Sequence, residues 1–402
     1  MRAVKPRAWR RVVVVVVGMI GGCDVADVAV PTFGHDVAPL LARSCLSCHD
    51  GSTAGQRVFA RYDDVVAQRE LMWAAMASGL MPPQGVDRSG ACGDWEGARP
   101  IDDDDVALFA AWIDAGMPEG EATVPPPTAI QGRDDVDGAL VIAGGAWIPR
   151  ADATVALDQH RCFVVNGPVE PAMLVGLDVD ASAATHLHHA MLFAVPAENA
   201  ARAHALDVDG TGWDCDGPPR VGSTLVATWT PGAAQIWWPA GTGTPLSSTL
   251  ILQLHSHGAD DGAVDASRLR LFFSSSPQRT LAYVPIDATG FSLPPGLDVV
   301  DDARVTVLEQ DLQVFGVLPH MHAAGRAIEL RQAAGGCVVD VPAFDFGWQE
   351  TAWLSAPRSL AAGSALELSC SWSTRERSTP TRWGESSDDE MCTVFLLAVA
   401  VP

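Results

Sequence analysis

The chain has 402 residues, 48% of them hydrophobic and 19% charged, which supplies apolar side chain for packed cores and excludes both a single small module and wholesale disorder. Its 49 Asp and Glu against 26 Lys and Arg give a formal net charge of -23, which repels polyphosphate backbones, so no nucleic-acid partner is expected. Lys5 is the only lysine, which leaves no lysine for Schiff-base or P-loop chemistry beyond the first few residues.

In chain order, Arg2, Lys5, Arg7, Arg10 and Arg11 precede the apolar run 12–20 and then Gly21-Gly22-Cys23. That is the pattern of an export signal over residues 1–22, too short to span a bilayer. Ile20-Gly21-Gly22-Cys23 resembles a bacterial lipobox, which implies lipidation of Cys23 and a membrane anchor; an ordinary signal with an incidental cysteine is the alternative. Either way the chain is expected to be exported, periplasmic or at the cell surface, where disulfides persist.

Residues 31–119 read as helix-rich, with apolar residues at helical spacing over 37–41, 65–80 and 102–113, the last opening on the acidic run Asp102 to Asp105 as the helix dipole favours. Within this segment Cys45-Leu46-Ser47-Cys48-His49 is a CxxCH motif: two thiols for thioether bonds to haem vinyls and an adjacent histidine for the iron. A disulfide or zinc CxxC with a stray histidine is the alternative. Met81, in Gly79-Leu80-Met81-Pro82-Pro83, is the expected second axial ligand, with His35 as rival. Residues 31–119 resemble a class I c-type cytochrome, which implies a small all-α domain holding covalently bound haem c and passing single electrons. Residues 120–134, including Pro125-Pro126-Pro127, read as a linker.

Beyond residue 135, short apolar runs separated by Gly, Pro, Asp and Ser predict two antiparallel β-sandwiches, over 135–285 and 286–402. Seven histidines fall in three clusters there: His186-Leu187-His188-His189, His255-Ser256-His257 and His320-Met321-His322. In a strand, residues i and i+2 share a face, so His320 and His322 can reach one metal. His188 and His189 face opposite ways unless a bulge intervenes, and geometry alone prefers His186 with His188. Imidazoles without carboxylates suit copper or zinc, and a thioether such as Met391, in Asp388-Asp389-Glu390-Met391-Cys392, selects copper; a packed methionine is the alternative.

Over roughly 155–400 the chain resembles the copper type II, ascorbate-dependent monooxygenases. The resemblance rests on His188-His189-Ala190-Met191-Leu192-Phe193, Leu252-Gln253-Leu254-His255, His320-Met321-His322 with Gly325-Arg326, and Glu390-Met391-Cys392, in the family's order. It implies two copper ions, one on His188, His189 and His255 that transfers electrons, and one on His320, His322 and Met391 that activates O2. It therefore chooses His188 with His189. His186 and His257 become outer or surface residues, and Gln253, two residues before His255, stands where the family has a polar side chain near the region between the sites. One oxygen atom enters a substrate C–H bond and the other leaves as water, with one electron from each copper. The resemblance also implies a disulfide from Cys370 to Cys392. Cys162 is expected to pair with Cys215, and Cys92 and Cys337 stay unassigned. The carboxylate clamp of peptide-amidating members is missing, with Leu318, Thr393 and Phe395 in its place. Phe395, Trp237, Trp238 and Trp348 suggest an apolar or aromatic small molecule, unless they are core aromatics. The expected partners are therefore O2, a small substrate and an external electron donor feeding the copper through the fused haem domain. The rival readings are a non-catalytic exported haem or copper electron carrier and, with less support, a zinc hydrolase.

Overall fold

The structure, a computed structural model, describes residues 30–401 apart from residues 50–56, 84, 97–100, 122–132, 150–157, 181–186, 216, 231–234, 258–261, 263, 277 and 386–388. The expected export signal, Cys23, the Pro-rich run, His186 and Asp388 lie outside the described residues.

Short helices open the described chain, at Ala38–Ser44, Leu46–His49, Tyr62–Ala77 and Asp103–Asp114. The acidic run does what its sequence predicts. The Asp102 side chain accepts from the Asp105 backbone N–H and the Asp105 side chain accepts from that of Asp102, a reciprocal cap that starts the last helix. Phe33, Leu40, Leu41, Val65, Phe109 and Trp112 pack into one small cluster between these helices.

The rest is sheet. A six-stranded and a five-stranded sheet come first, then two four-stranded sheets and a two-stranded ribbon. The four-stranded sheet built from Ala282–Asp287, Thr393–Val401, Asp311–His320 and Ala352–Leu360 is apolar on both faces. Leu312, Val314, Leu396 and Ala398 point into one core, and Phe315, Leu318, Leu397 and Val399 into the other. Period-2 alternation normally gives a strand one wet face; here both faces are covered, so the sheet is a wall shared by two cores.

The expected architecture, a small all-α cytochrome c domain followed by two antiparallel β-sandwiches, is therefore corrected. The described chain is predominantly β, its longest helix has 16 residues, and no sizeable all-α domain stands apart. An independent helical module would keep its backbone hydrogen bonds and disulfides to itself. Instead the segment after the helices is sewn into the C-terminal strands. Cys92 is bonded to Cys337, the Asp87 N–H donates to the Asp340 carbonyl, and Trp95 bridges to Leu354. Val86, Cys92 and Trp95 belong to the same core as Val317 and Leu396, and residues from Pro31 onward form one compact unit. Among the described residues no helix is long and apolar enough to cross a membrane.

Candidate metal centres

The five-stranded sheet places three strands side by side, Asp158–Asn166, Thr249–His257 and Leu187–Val195. Their registers align His160 opposite His255 and His255 opposite His189. Directly opposed residues project from the same face with Cβ atoms about 5 Å apart, so three imidazoles form a row across the sheet. The pairs Leu187 with Ser256 and His189 with His255 leave His188 as an extra residue at a register shift. That is the bulge that adjacent ligands require, and it turns His188 to the side of His189.

The result is a triangle of Nδ1 atoms. His188 lies 3.1 Å from His255, His255 3.1 Å from His189, and His189 3.3 Å from His188. Three lone pairs this close repel one another, and three N–H groups would clash. A cation at about 2.0 Å from each nitrogen satisfies all three, because the edges of such a coordination shell are about 3.3 Å. Burial first, then the positive charge of His255, His188, His160 and His320, holds His189 well below the ordinary imidazole range. The site favours neutral imidazoles, the form that binds metal.

His320 ends the Asp311–His320 strand, with His322 in the turn that follows, ring centroids 5.3 Å apart. The partners of these two rings fix their tautomers. The Gln349 amide donates to the Phe346 carbonyl, so its oxygen accepts from His320 Nδ1. His322 Nδ1 donates to the Asp389 carbonyl at 3.1 Å. Both rings therefore carry their lone pair on Nε2. His320 is pushed down to about 4, by burial first and by the charge of His322 next, against the raising effect of Gln349.

Met391 is tied to this turn by the residue before it. Glu390, fully buried, accepts from the His322 and Ala324 backbone N–H groups and from Trp372 Nε1. His320 stands opposite Thr393 across the strand pair, and Met391 precedes Thr393 by two residues in the chain. The two histidine groups face each other across Phe346, whose ring centroid is 5.9 Å from His188 and 6.2 Å from His322.

Residues 299–398 match the family described as copper type II ascorbate-dependent monooxygenase, C-terminal domain. DBH-like monooxygenase protein 1 of Homo sapiens is 29% identical over 200 residues, covering 43% of this chain and 33% of that one. Putative DBH-like monooxygenase protein 2 of Homo sapiens is 30% identical over 176 residues, covering 38% and 35%. Dopamine beta-hydroxylase of Rattus norvegicus is 26% identical over 196 residues, covering 43% and 32%. The chain thus spans about a third of the length of the curated relatives it matches. Among solved structures PNGase F, a glycosylasparaginase from Flavobacterium meningosepticum, gives a TM-score of 0.30 at 10% identity over 66% of this chain and 96% of that one, a likeness that carries no argument. These similarities support kinship with the copper monooxygenases.

Other expectations meet a different arrangement. Gln253 lies against the Cys162–Cys215 disulfide, its amide donating to the Gly217 carbonyl at 2.8 Å. Trp238 and Phe395 pack in the core and Trp237 against Phe272. Trp348 lines a cavity of about 460 Å3, with Pro319, Phe344, Gln349 and Met81, and Trp237 also lines a separate one of about 310 Å3. Met81 is 39% exposed and belongs to the larger cavity. His49 packs on Phe59 with ring centroids 4.5 Å apart and the planes tilted by 33°, its Nδ1 donating to the Arg57 carbonyl, and His35 is a surface residue paired with Asp36. Cys162–Cys215 and Cys370–Cys392 are bonded, as is the unassigned pair Cys92–Cys337. Three disulfides fit an oxidising compartment outside the cytosol. No local signal in the sequence marks His160, Gln349 or Phe346, and Glu390 stands there only as the neighbour of Met391.

Proposed function

We propose that the chain is a copper-dependent monooxygenase that inserts one atom of O2 into a C–H bond of a small substrate. The observation that carries this reading is the triangle of Nδ1 atoms at 3.1–3.3 Å facing a second imidazole pair across one aromatic ring. One copper would be held by His188, His189 and His255, the other by His320, His322 and Met391. The coppers would supply one-electron storage at each centre and the reduction of O2. The balance is R–H + O2 + 2e− + 2H+ → R–OH + H2O, so an external electron donor is required. The chain's own residues set the tautomers, through Gln349 and the Asp389 carbonyl, and keep the imidazoles neutral by burial. Thioether sulfur beside two imidazoles selects copper over zinc. The cavity bounded by Pro319, Phe344, Trp348 and Gln349 is the place for substrate, and its aromatic wall suits an apolar or aromatic molecule.

The test is metal content and product labelling. Two coppers per chain are expected, falling to one in His255→Ala and to one in Met391→Ala, and reduced protein given 18O2 with phenols, phenylalkylamines or alkyl substrates should yield labelled product. Copper binding without any O2 consumption would favour a non-catalytic copper carrier, and zinc in both centres would sink the redox reading.

Electron supply by haem rests on the motif from Cys45 to His49 alone. A pyridine haemochrome spectrum from the exported protein decides it without touching the copper proposal.

A further inference from the structure

The row across the five-stranded sheet contains one imidazole more than the triangle uses. His160 is the direct cross-strand partner of His255. Its ring lies parallel to that of His255, at 4.0 Å and 9°, and 5.9 Å from that of His189. One ring nitrogen each from His160, His189 and His255 falls within 4.8 Å of the others, a grouping close enough to hold a metal ion. So two overlapping three-histidine sets, sharing His189 and His255, exist on one sheet face. The triangle of His188, His189 and His255 is also shallow. Three nitrogens with edges of 3.1–3.3 Å would hold an ion and leave room for a further donor.

We infer that His160 is a fourth imidazole ligand of this centre, joining His188, His189 and His255 when the copper is oxidised. The inference rests on the copper reading above. Cu(I) is content with three soft or imidazole donors, whereas Cu(II) favours a tetragonal set of nitrogen and oxygen ligands. The nitrogen of His160 lies within 4.8 Å of a nitrogen of His189 and of His255, and rotation about its two side-chain torsions, with the strand in place, is the movement that would bring it to the ion. Exchange of the stack on His255 for a bond to the ion then costs no backbone hydrogen bond. A fourth strong donor favours the oxidised state, so His160 makes this centre the better electron donor to the one across Phe346.

The experiment compares wild type, His160→Phe, which keeps a stacking ring and removes the nitrogen, and His160→Gln. All are measured in a His320→Ala/His322→Ala background so that one centre contributes. X-ray absorption is expected to count four imidazoles on the oxidised ion and three on the reduced ion. Both variants should show three in either state, with shifted Cu(II) EPR parameters and a Cu(II) affinity lower by about ten- to a hundred-fold, the range that even outer residues of metal sites command. A His160→Phe protein with the wild-type EPR spectrum and affinity overturns the inference and leaves His160 a stacking partner. Failure of the copper reading itself shows separately: the parent protein then takes up no copper, or His255→Ala loses none, before His160 is altered.

Discussion

At the scale of single residues, the side chains that hold the two histidine groups matter as much as the histidines. Gln349 accepts from His320 only because its own amide is committed to the Phe346 carbonyl. Gln349→Ala is expected to lower copper affinity at that centre by about ten- to a hundred-fold, measured by competition with a chelator, while Gln349→Glu, which still accepts, retains most of it. His320 also fixes a pH response of the chelator-treated protein. Its folded value is depressed to about 4 from 6.5, so the unfolded chain takes up a proton that the folded chain refuses. Stability is therefore full above about 6.5 and is lost as pH falls from there through about 4, by on the order of 3 kcal/mol. Thermal melts across that window should show the decline, and His320→Phe should lessen it, the remainder coming from buried His189.

At the scale of elements, one bulge and one carboxylate decide the geometry. Without the register shift at His188 the triangle would be a pair, because adjacent strand residues face opposite ways. Glu390 serves the other centre. It ties the His322 turn and Trp372 to the segment that carries Met391, and burial raises its pKa in spite of three donors. Glu390→Ala leaves those buried donors without an acceptor and is expected to cost about 3 kcal/mol or more in denaturant titration. It should also release the second copper, since His322 and Met391 lose their common anchor. A variant that unfolds as wild type would show that the carboxylate is dispensable.

At the scale of the whole molecule, the shared sheet predicts that the two β cores unfold together. Leu397, fully buried, sits on the face turned to the second core. Leu397→Ala should cost about 2–5 kcal/mol and move a single transition rather than one of two. The Cys92–Cys337 bond closes the longest loop, with a sequence separation of 245. Its replacement by two serines is expected to cost about 2–5 kcal/mol and to raise hydrogen exchange over residues 85–96 ahead of the strands.

Much of this was legible in linear order. The Asp102 cap, the β texture beyond residue 135, and the histidine and Glu390-Met391-Cys392 motifs are local patterns, and local patterns follow from backbone periodicity and donor chemistry. The all-α domain was misjudged because helical spacing reports where a helix forms and not what it packs against. Val86, Cys92 and Trp95 were claimed by a β core more than two hundred residues away, and no local signal announces that. His160 was invisible for the same reason: a lone histidine gains meaning only when strand register sets it opposite His255. The sequence by itself determined which donors are available and how each strand alternates, because those are properties of neighbouring residues. Only the tertiary structure decided which donors meet, since register, bulge and shared sheet are contacts between distant segments chosen by the burial of the whole.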